Sequence, residues 1–254
     1  MDLPVNQFKR RLAAGEEQLG FWTSLASPMV SEILGHSGID WILIDCEHTP
    51  NELQDVFHHL RALKGCPASA IVRPSWNDMV EIKRLLDAGA QSLIVPYVNS
   101  AEQARAAVAA TRYPPAGVRG VAGASRASNY GRIAGYLGAA SDEIAVVVQI
   151  ETRTAVEALD EIMAVAGIDG IFVGPSDLSA SCGHIGNPDH PEVQAMIEAV
   201  PERARQAGVA AGILARSLDD ARRCRALGYS FISVGSDQGL LMDGAAERIA
   251  ALKA

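Results

Sequence analysis

Five apolar runs in this sequence stop on side chains able to hold a metal ion, move a proton or bind an anion: Asp45-Cys46-Glu47-His48, Arg73-Pro74, Gln149-Ile150-Glu151, Gly174-Pro175-Ser176-Asp177 and Gly235-Ser236-Asp237. Glu151 and Asp177 offer hard oxygen donors, with Gln149 close by and no paired His or Cys in the same stretches. Such a pair suits Mg²⁺ or Mn²⁺, with positions left for water or substrate. The plainer alternative makes both residues helix N-caps or solubilising charges. Asp45 and His48 stand three apart; a carboxylate on one imidazole nitrogen would fix the tautomer and raise the ring's basicity, making His48 a general base. A structural histidine is the alternative there, with Glu47 either a supporting partner or solvated. Arg73 ends a run where a structural residue would be aliphatic. Its guanidinium would bind an anionic substrate or stabilise enolate charge; otherwise it pairs with a barrel carboxylate. Gly174-Pro-Ser-Asp-Leu-Ser179 would open a helix with its backbone N–H groups facing a carboxylate, or form a tight turn capped by Ser176.

The lysines narrow the chemistry. Lys9, Lys64, Lys83 and Lys253 lie near the termini, at a helix end or within a helix, and none closes an apolar run. A Schiff-base mechanism needs a desolvated lysine at the reacting centre. Any carbanion formed here is therefore expected to rely on a metal.

A recurring pattern positions these residues: an amphipathic helix, a glycine, two or three linking residues, then an aliphatic run. It opens at Gly38, Gly65, Gly89, Gly167, Gly208 and Gly228, each placed where a helix C-terminus favours the left-handed conformation. With Leu19–Ser24 and Ile144–Ile150 the chain holds eight strand candidates alternating with helices. The runs are apolar on both faces, as in a parallel sheet covered by helices. Eight such units predict an α/β fold, a (β/α)₈ TIM barrel spanning 1–254 as one domain, with chemistry at the C-terminal strand ends. A doubly wound open sheet is disfavoured, because Trp22-Thr-Ser-Leu-Ala-Ser27 contains no glycine. Ser100–Gln103 and Thr154–Glu157 fit capping boxes, Ser217 fits an N-cap, and Pro201 should kink or end the helix that holds it. The stretch from Tyr113 to Glu143 is too long for a plain connection and is expected to be functional or to pack at an interface.

Composition sets the outer limits. The 254 residues carry 22 Lys+Arg against 30 Asp+Glu, a net charge of −8. That balance gives no overall footprint for nucleic acid or an anionic membrane. No apolar run approaches the roughly 18–20 residues of a membrane span, and Lys9-Arg10-Arg11 is not followed by the apolar core of a secretory signal. Cys46, Cys66, Cys182 and Cys224 are scattered, which reads as reduced thiols in a cytoplasmic protein without a structural zinc site.

These motifs, together with Pro96-Tyr97-Val98, Gly117-Val-Arg119-Gly120 and Gly183-His184-Ile-Gly186-Asn-Pro188, closely resemble the HpcH/HpaI aldolase family of class II, metal-dependent pyruvate aldolases, from Leu19 to Asp243. The resemblance implies a modified (β/α)₈ barrel and a hexamer that exchanges a terminal helix between subunits. It implies Glu151 and Asp177 as ligands of Mg²⁺ or Mn²⁺ (Co²⁺ is also compatible), Arg73 at the keto oxygen of pyruvate, and Gln149 lining that site. His48 with Asp45 matches the dyad that handles the C4 hydroxyl proton, and the N–H groups of Ser176 and Asp177 match the substrate carboxylate's cradle. Asp87 matches an acidic residue that reaches a neighbouring subunit's site. The expected activity is reversible cleavage of 4-hydroxy-2-oxo acids to pyruvate, or an analogue such as hydroxypyruvate, and an aldehyde. Two alternatives stand beside it: a lyase or synthase using a keto acid or thioester acceptor on the same scaffold, and a non-catalytic metabolite-binding barrel.

Overall fold

The structure, a computed structural model, describes residues 2–253; the two end residues of the expected 1–254 unit lie outside the described residues. Eight parallel strands close one barrel in sequence order: β1 (Gln18–Thr23), β2 (Trp41–Asp45), β3 (Ser69–Arg73), β4 (Ser92–Val95), β5 (Ala145–Ile150), β6 (Gly170–Val173), β7 (Ala210–Leu214) and β8 (Phe231–Ser236), which returns to β1. Before and between the strands run α1 (Gln7–Ala13), α2 (Pro28–Gly35), α3 (Leu53–Ala62), α4 (Met79–Asp87), α5 (Ala101–Thr111), α6 (Tyr136–Ala139), α7 (Arg153–Glu157), α8 (Leu159–Met163), α9 (Pro175–Ser181), α10 (Pro191–Ala207) and α11 (Leu218–Leu227), and α12 (Asp237–Lys253) follows β8. All eight expected strands are present. The six linking glycines all have positive φ, from +69° to +103°, and Gly208 and Gly228 close α10 and α11 as left-handed caps.

Strand residues alternate between two apolar layers. Trp41, Leu43, Ile71, Ile94, Val147, Phe172 and Phe231 fill the barrel interior. Ile42, Ile44, Val72, Leu93, Val95, Val146 and Val148 face the helices. Phe8 of α1 joins the interior cluster, edge-on to Trp41 and Phe231 at 6.4 and 5.7 Å between ring centres. Gly20 makes room for this packing, since a Cβ there would lie 2.1 Å from the Trp41 ring.

Two local expectations need correction, and at Pro201 one of the two expected outcomes is excluded. Pro201 does not end its helix: α10 runs through it to Ala207. Proline lacks the N–H that would bond the carbonyl four residues back, and the Tyr229 hydroxyl donates to that Ile197 carbonyl instead, at 2.8 Å. The cap of α7 is Thr152 rather than Thr154, its hydroxyl accepting from the Ala155 N–H at 3.0 Å, because the chain turns into helix directly after Glu151. At α5, Ser100 caps Gln103 N–H as expected, but the Gln103 side chain accepts from Asn99 N–H, not from the cap residue. Ser217 caps α11 as expected.

The long connection packs at the end of the barrel where strands begin. Arg119 pairs with Asp87 at the close of α4, and Arg126 donates to the carbonyls of Ala88 and Leu60 at 2.7 and 3.1 Å. A cavity of about 1160 Å³ opens at that end, lined by residues such as Pro4, Arg61, Gln91 and Arg126. It holds none of the strand-end carboxylates. No helix among the described residues is long and apolar enough to cross a membrane.

Candidate active site

The alternation that fills the barrel also aims the polar groups. Asp45 continues the inward series Trp41, Leu43; Arg73 continues Ile71; Gln149 continues Ala145, Val147. Asp45 and Arg73 are register partners on β2 and β3. They form a two-pronged ion pair, Nε to Oδ1 and Nη2 to Oδ2, both at 2.8 Å and almost fully buried. The third guanidinium nitrogen, Nη1, lies 2.7 Å from Glu47 Oε2 and 3.4 Å from Gln149 Oε1, while the Trp22 ring lies 4.9 Å from Arg73 Cζ. From Gln149 the network runs on: its Nε2 donates to Glu151 Oε2 at 2.6 Å, Glu151 Oε1 accepts from the Tyr97 N–H at 2.7 Å, and the Tyr97 hydroxyl reaches Asp177 Oδ1 at 3.3 Å. Gly174 is needed here, since a Cβ would stand 2.9 Å from both Gln149 Nε2 and Glu151 Oε2.

Burial and like charges dominate the electrostatics. Burial pushes the Glu151 carboxyl up to about 7; the Tyr97 N–H opposes this, and the charges of Glu47 and Asp177 add to it. Glu47 is also raised by burial, against the pull of Arg73. For Asp45 burial acts upward too, but the Arg73 fork outweighs it and the carboxyl stays below its ordinary range. One oxygen of Glu47 is buried without an aligned donor, although Arg73 Nη1 stands close. The charges of Glu47 and Asp177 that oppose ionisation of Glu151, and a donor set made of oxygen atoms, are what a hard divalent cation fits.

The structure brings together Arg73, Gln149, Glu151, Asp177 and the start of α9. There Gly174 is the N-cap and Pro175 the first residue, so the N–H groups of Ser176 and Asp177 precede the first intrahelical bond. It does not form the expected Asp45–His48 dyad. Both Asp45 oxygens are taken by Arg73, and Oδ1 also accepts from the Glu47 N–H. His48 stands exposed at the mouth with Nε2 4.0 Å from Glu47 Oε2. Nor does Asp87 approach the site of its own chain: it closes α4 at the opposite end, 2.8 Å from Arg119. Asp237 accepts from the N–H groups of Ser24 and Leu25 and so ties β8 to the loop after β1. Sequence reasoning missed Tyr97, Trp76 stacked on it with ring centres 5.6 Å apart, and Trp22.

A second group of ligating side chains lies on the rim, where His184, His190 and Glu192 approach one another. Their donors already serve other contacts. His184 bonds Glu192 at 2.8 Å, Arg153 holds the other Glu192 oxygen at 2.5 Å, and His190 Nδ1 caps α10 while its ring stacks on His184. With Arg216 on Asp189, this cluster clamps the loop between α9 and α10.

Comparison with known proteins agrees with the geometry. The family model described as HpcH/HpaI aldolase/citrate lyase matches residues 18–244. The chain is 52% identical over 247 residues to a 4-hydroxy-2-oxo-heptane-1,7-dioate aldolase from Shigella sonnei, covering 97% of this chain and 94% of that protein. It is 51% identical over 243 residues to a hydroxypyruvate/pyruvate aldolase from Pseudomonas aeruginosa, covering 95% and 91%. Among solved structures, an HpcH/HpaI aldolase/citrate lyase family protein from Burkholderia cenocepacia superposes with a TM-score of 0.96 at 39% identity, covering 98% of this chain and all of that one. The barrel, the strand-end carboxylates and the match along almost the entire chain lead to one assignment: this protein belongs to the HpcH/HpaI aldolase/citrate lyase family.

Proposed function

We propose that this protein is a class II aldolase that reversibly cleaves 4-hydroxy-2-oxo acids to pyruvate, or hydroxypyruvate, and an aldehyde, with Mg²⁺ or Mn²⁺ held by Glu151 and Asp177. The observation that carries this reading is the buried Arg73 fork standing in one network with Gln149, Glu151 and Asp177. The names of the relatives support the same chemistry. When bound, the cation supplies Lewis-acid polarisation of the 2-oxo group.

The chain's own residues do the rest. The N–H groups of Ser176 and Asp177 hold the substrate carboxylate. Arg73, kept rigid by Asp45 and Glu47, presents a fixed positive charge to the C2 oxygen, and Gln149 lines the same wall. His48, exposed at the mouth, takes the proton from the C4 hydroxyl. The C3–C4 bond then breaks, the aldehyde carbonyl forms, and the bonding pair moves into the enolate of pyruvate, whose C2 oxygen faces Arg73. A proton returned to C3 completes pyruvate. In this reading Asp45 acts by orienting Arg73.

The same reading includes a cytoplasmic homo-hexamer with an exchanged terminal helix and Asp87 serving a neighbouring subunit. Support for association comes from α12, which exposes Leu240, Leu241, Met242, Ile249 and Leu252. The four cysteines are free, in keeping with a reducing compartment.

The test follows pyruvate release from a 4-hydroxy-2-oxo acid with lactate dehydrogenase as the reporter. Release is expected with Mg²⁺ or Mn²⁺ and should disappear in EDTA. Release that persists in EDTA, or none with any divalent metal across a panel of such acids, would overturn the assignment.

A further inference from the structure

Strand β4 delivers no charged group, yet the turn behind it touches both carboxylates assigned to the metal. Tyr97 has φ of +52°, a left-handed conformation that disfavours a residue with a side chain and that persists only where its surroundings hold it. Here the main chain is held from both sides. The Tyr97 N–H donates to Glu151 Oε1 at 2.7 Å, and its carbonyl accepts from Asn99 Nδ2 at 3.1 Å. Asn99 is in turn hydrogen-bonded to Thr152, the residue after Glu151. The side chain leaves this turn to stack on Trp76, at 28° between ring planes, and brings its hydroxyl to 3.3 Å from Asp177 Oδ1, long for an O–H donor but the only polar contact of that hydroxyl among the described residues.

We propose that Tyr97 is a positioning residue for the divalent cation. Its main-chain N–H fixes Glu151 and its phenol fixes Asp177, so one residue sets the relative placement of two carboxylates that follow different strands, one directly after β5 and one in α9. A neutral phenol donates a single hydrogen bond to an ionised carboxylate. That bond orients the group and leaves the remaining lone pairs to the ion, as partners behind metal ligands generally do. The Trp76 stack keeps the ring from swinging into the mouth. This inference rests on the reading of Glu151 and Asp177 as the metal pair.

The test is Mn²⁺ titration of the metal-stripped full-length protein without substrate, following free Mn²⁺ by electron paramagnetic resonance. Three proteins are compared: unmodified, Tyr97→Phe and Glu151→Gln. Tyr97→Phe keeps the ring, the Trp76 stack and the main chain, so the metal-free melting temperature should not change. Its Kd for Mn²⁺ is expected to rise about tenfold or more. A role in ring packing alone would leave that Kd where it was. If Glu151→Gln loses Mn²⁺ binding while Tyr97→Phe binds like the unmodified protein, the positioning role is overturned and the metal pair stands. If Glu151→Gln binds Mn²⁺ undiminished, the carboxylate pair itself is wrong and the role of Tyr97 falls with it.

Discussion

Glu151→Gln and Asp177→Asn should each lower pyruvate release by at least about 10³-fold and remove measurable binding of Mg²⁺ or Mn²⁺. Losing a partner behind a metal ligand costs about 10–100-fold in affinity, so losing one of two anionic donors has to exceed that. The fold should survive. Glu151 is buried and its ionisation is already opposed by burial, Glu47 and Asp177, and the amide has the same shape without the charge. Metal-free melting temperature read beside metal affinity makes the outcome unambiguous. A variant that melts normally and binds no metal supports the assignment; one that turns over normally contradicts it.

Arg73 should behave differently, because the proposed mechanism uses it and the fold depends on its fork with Asp45. Arg73→Ala strands Asp45, buried and gripped by two hydrogen bonds, as an unpaired carboxylate. Breaking one side of a buried pair costs about 3–5 kcal/mol, roughly 10 °C of melting temperature for a chain of this size. Arg73→Lys keeps the charge but lacks the planar fork that holds both Asp45 oxygens while still facing Glu47 and Gln149. It should retain Mn²⁺ affinity and melt nearer to the unmodified protein. Its kcat should fall by about 10²–10³, the loss associated with removing one donor to a developing oxyanion. Lost turnover with retained metal binding separates Arg73 from Glu151 and Asp177.

The barrel was legible because its signals are local. Each linking glycine and aliphatic run announces a helix end and a strand, and each strand end then exposes its chemistry. Contacts set by register or by the meeting of distant chain segments were not legible. Asp45 and His48 share a short stretch, so their spacing suggested a dyad. The partner that prevails for Asp45 is Arg73, 28 residues on, brought alongside by the pairing of β2 with β3. By residue type Arg73 is anomalous at a strand end, and pairing with a barrel carboxylate is one of the two readings the sequence allows it. In the structure that pairing is made, and the third guanidinium nitrogen is left facing Glu47 and Gln149. Tyr97 was missed because its contact with Glu151 is made by the main chain, which residue type does not reveal. That α10 continues through Pro201 was hidden for a related reason: the hydroxyl that serves the freed carbonyl belongs to Tyr229, on the segment leading into β8.

The central claim is that these strand ends generate the enolate of pyruvate, and it can be tested without knowing the aldehyde. The measurement is proton NMR of pyruvate in D₂O with the purified protein, first in EDTA and then with Mg²⁺ in excess. The account predicts that the methyl signal decays only after Mg²⁺ is added, as enzyme-made enolate takes deuterium at C3, and that Glu151→Gln abolishes the decay. Enzyme-dependent exchange that continues in EDTA, or a methyl signal that persists with Mg²⁺, Mn²⁺ and Co²⁺ alike, would contradict it.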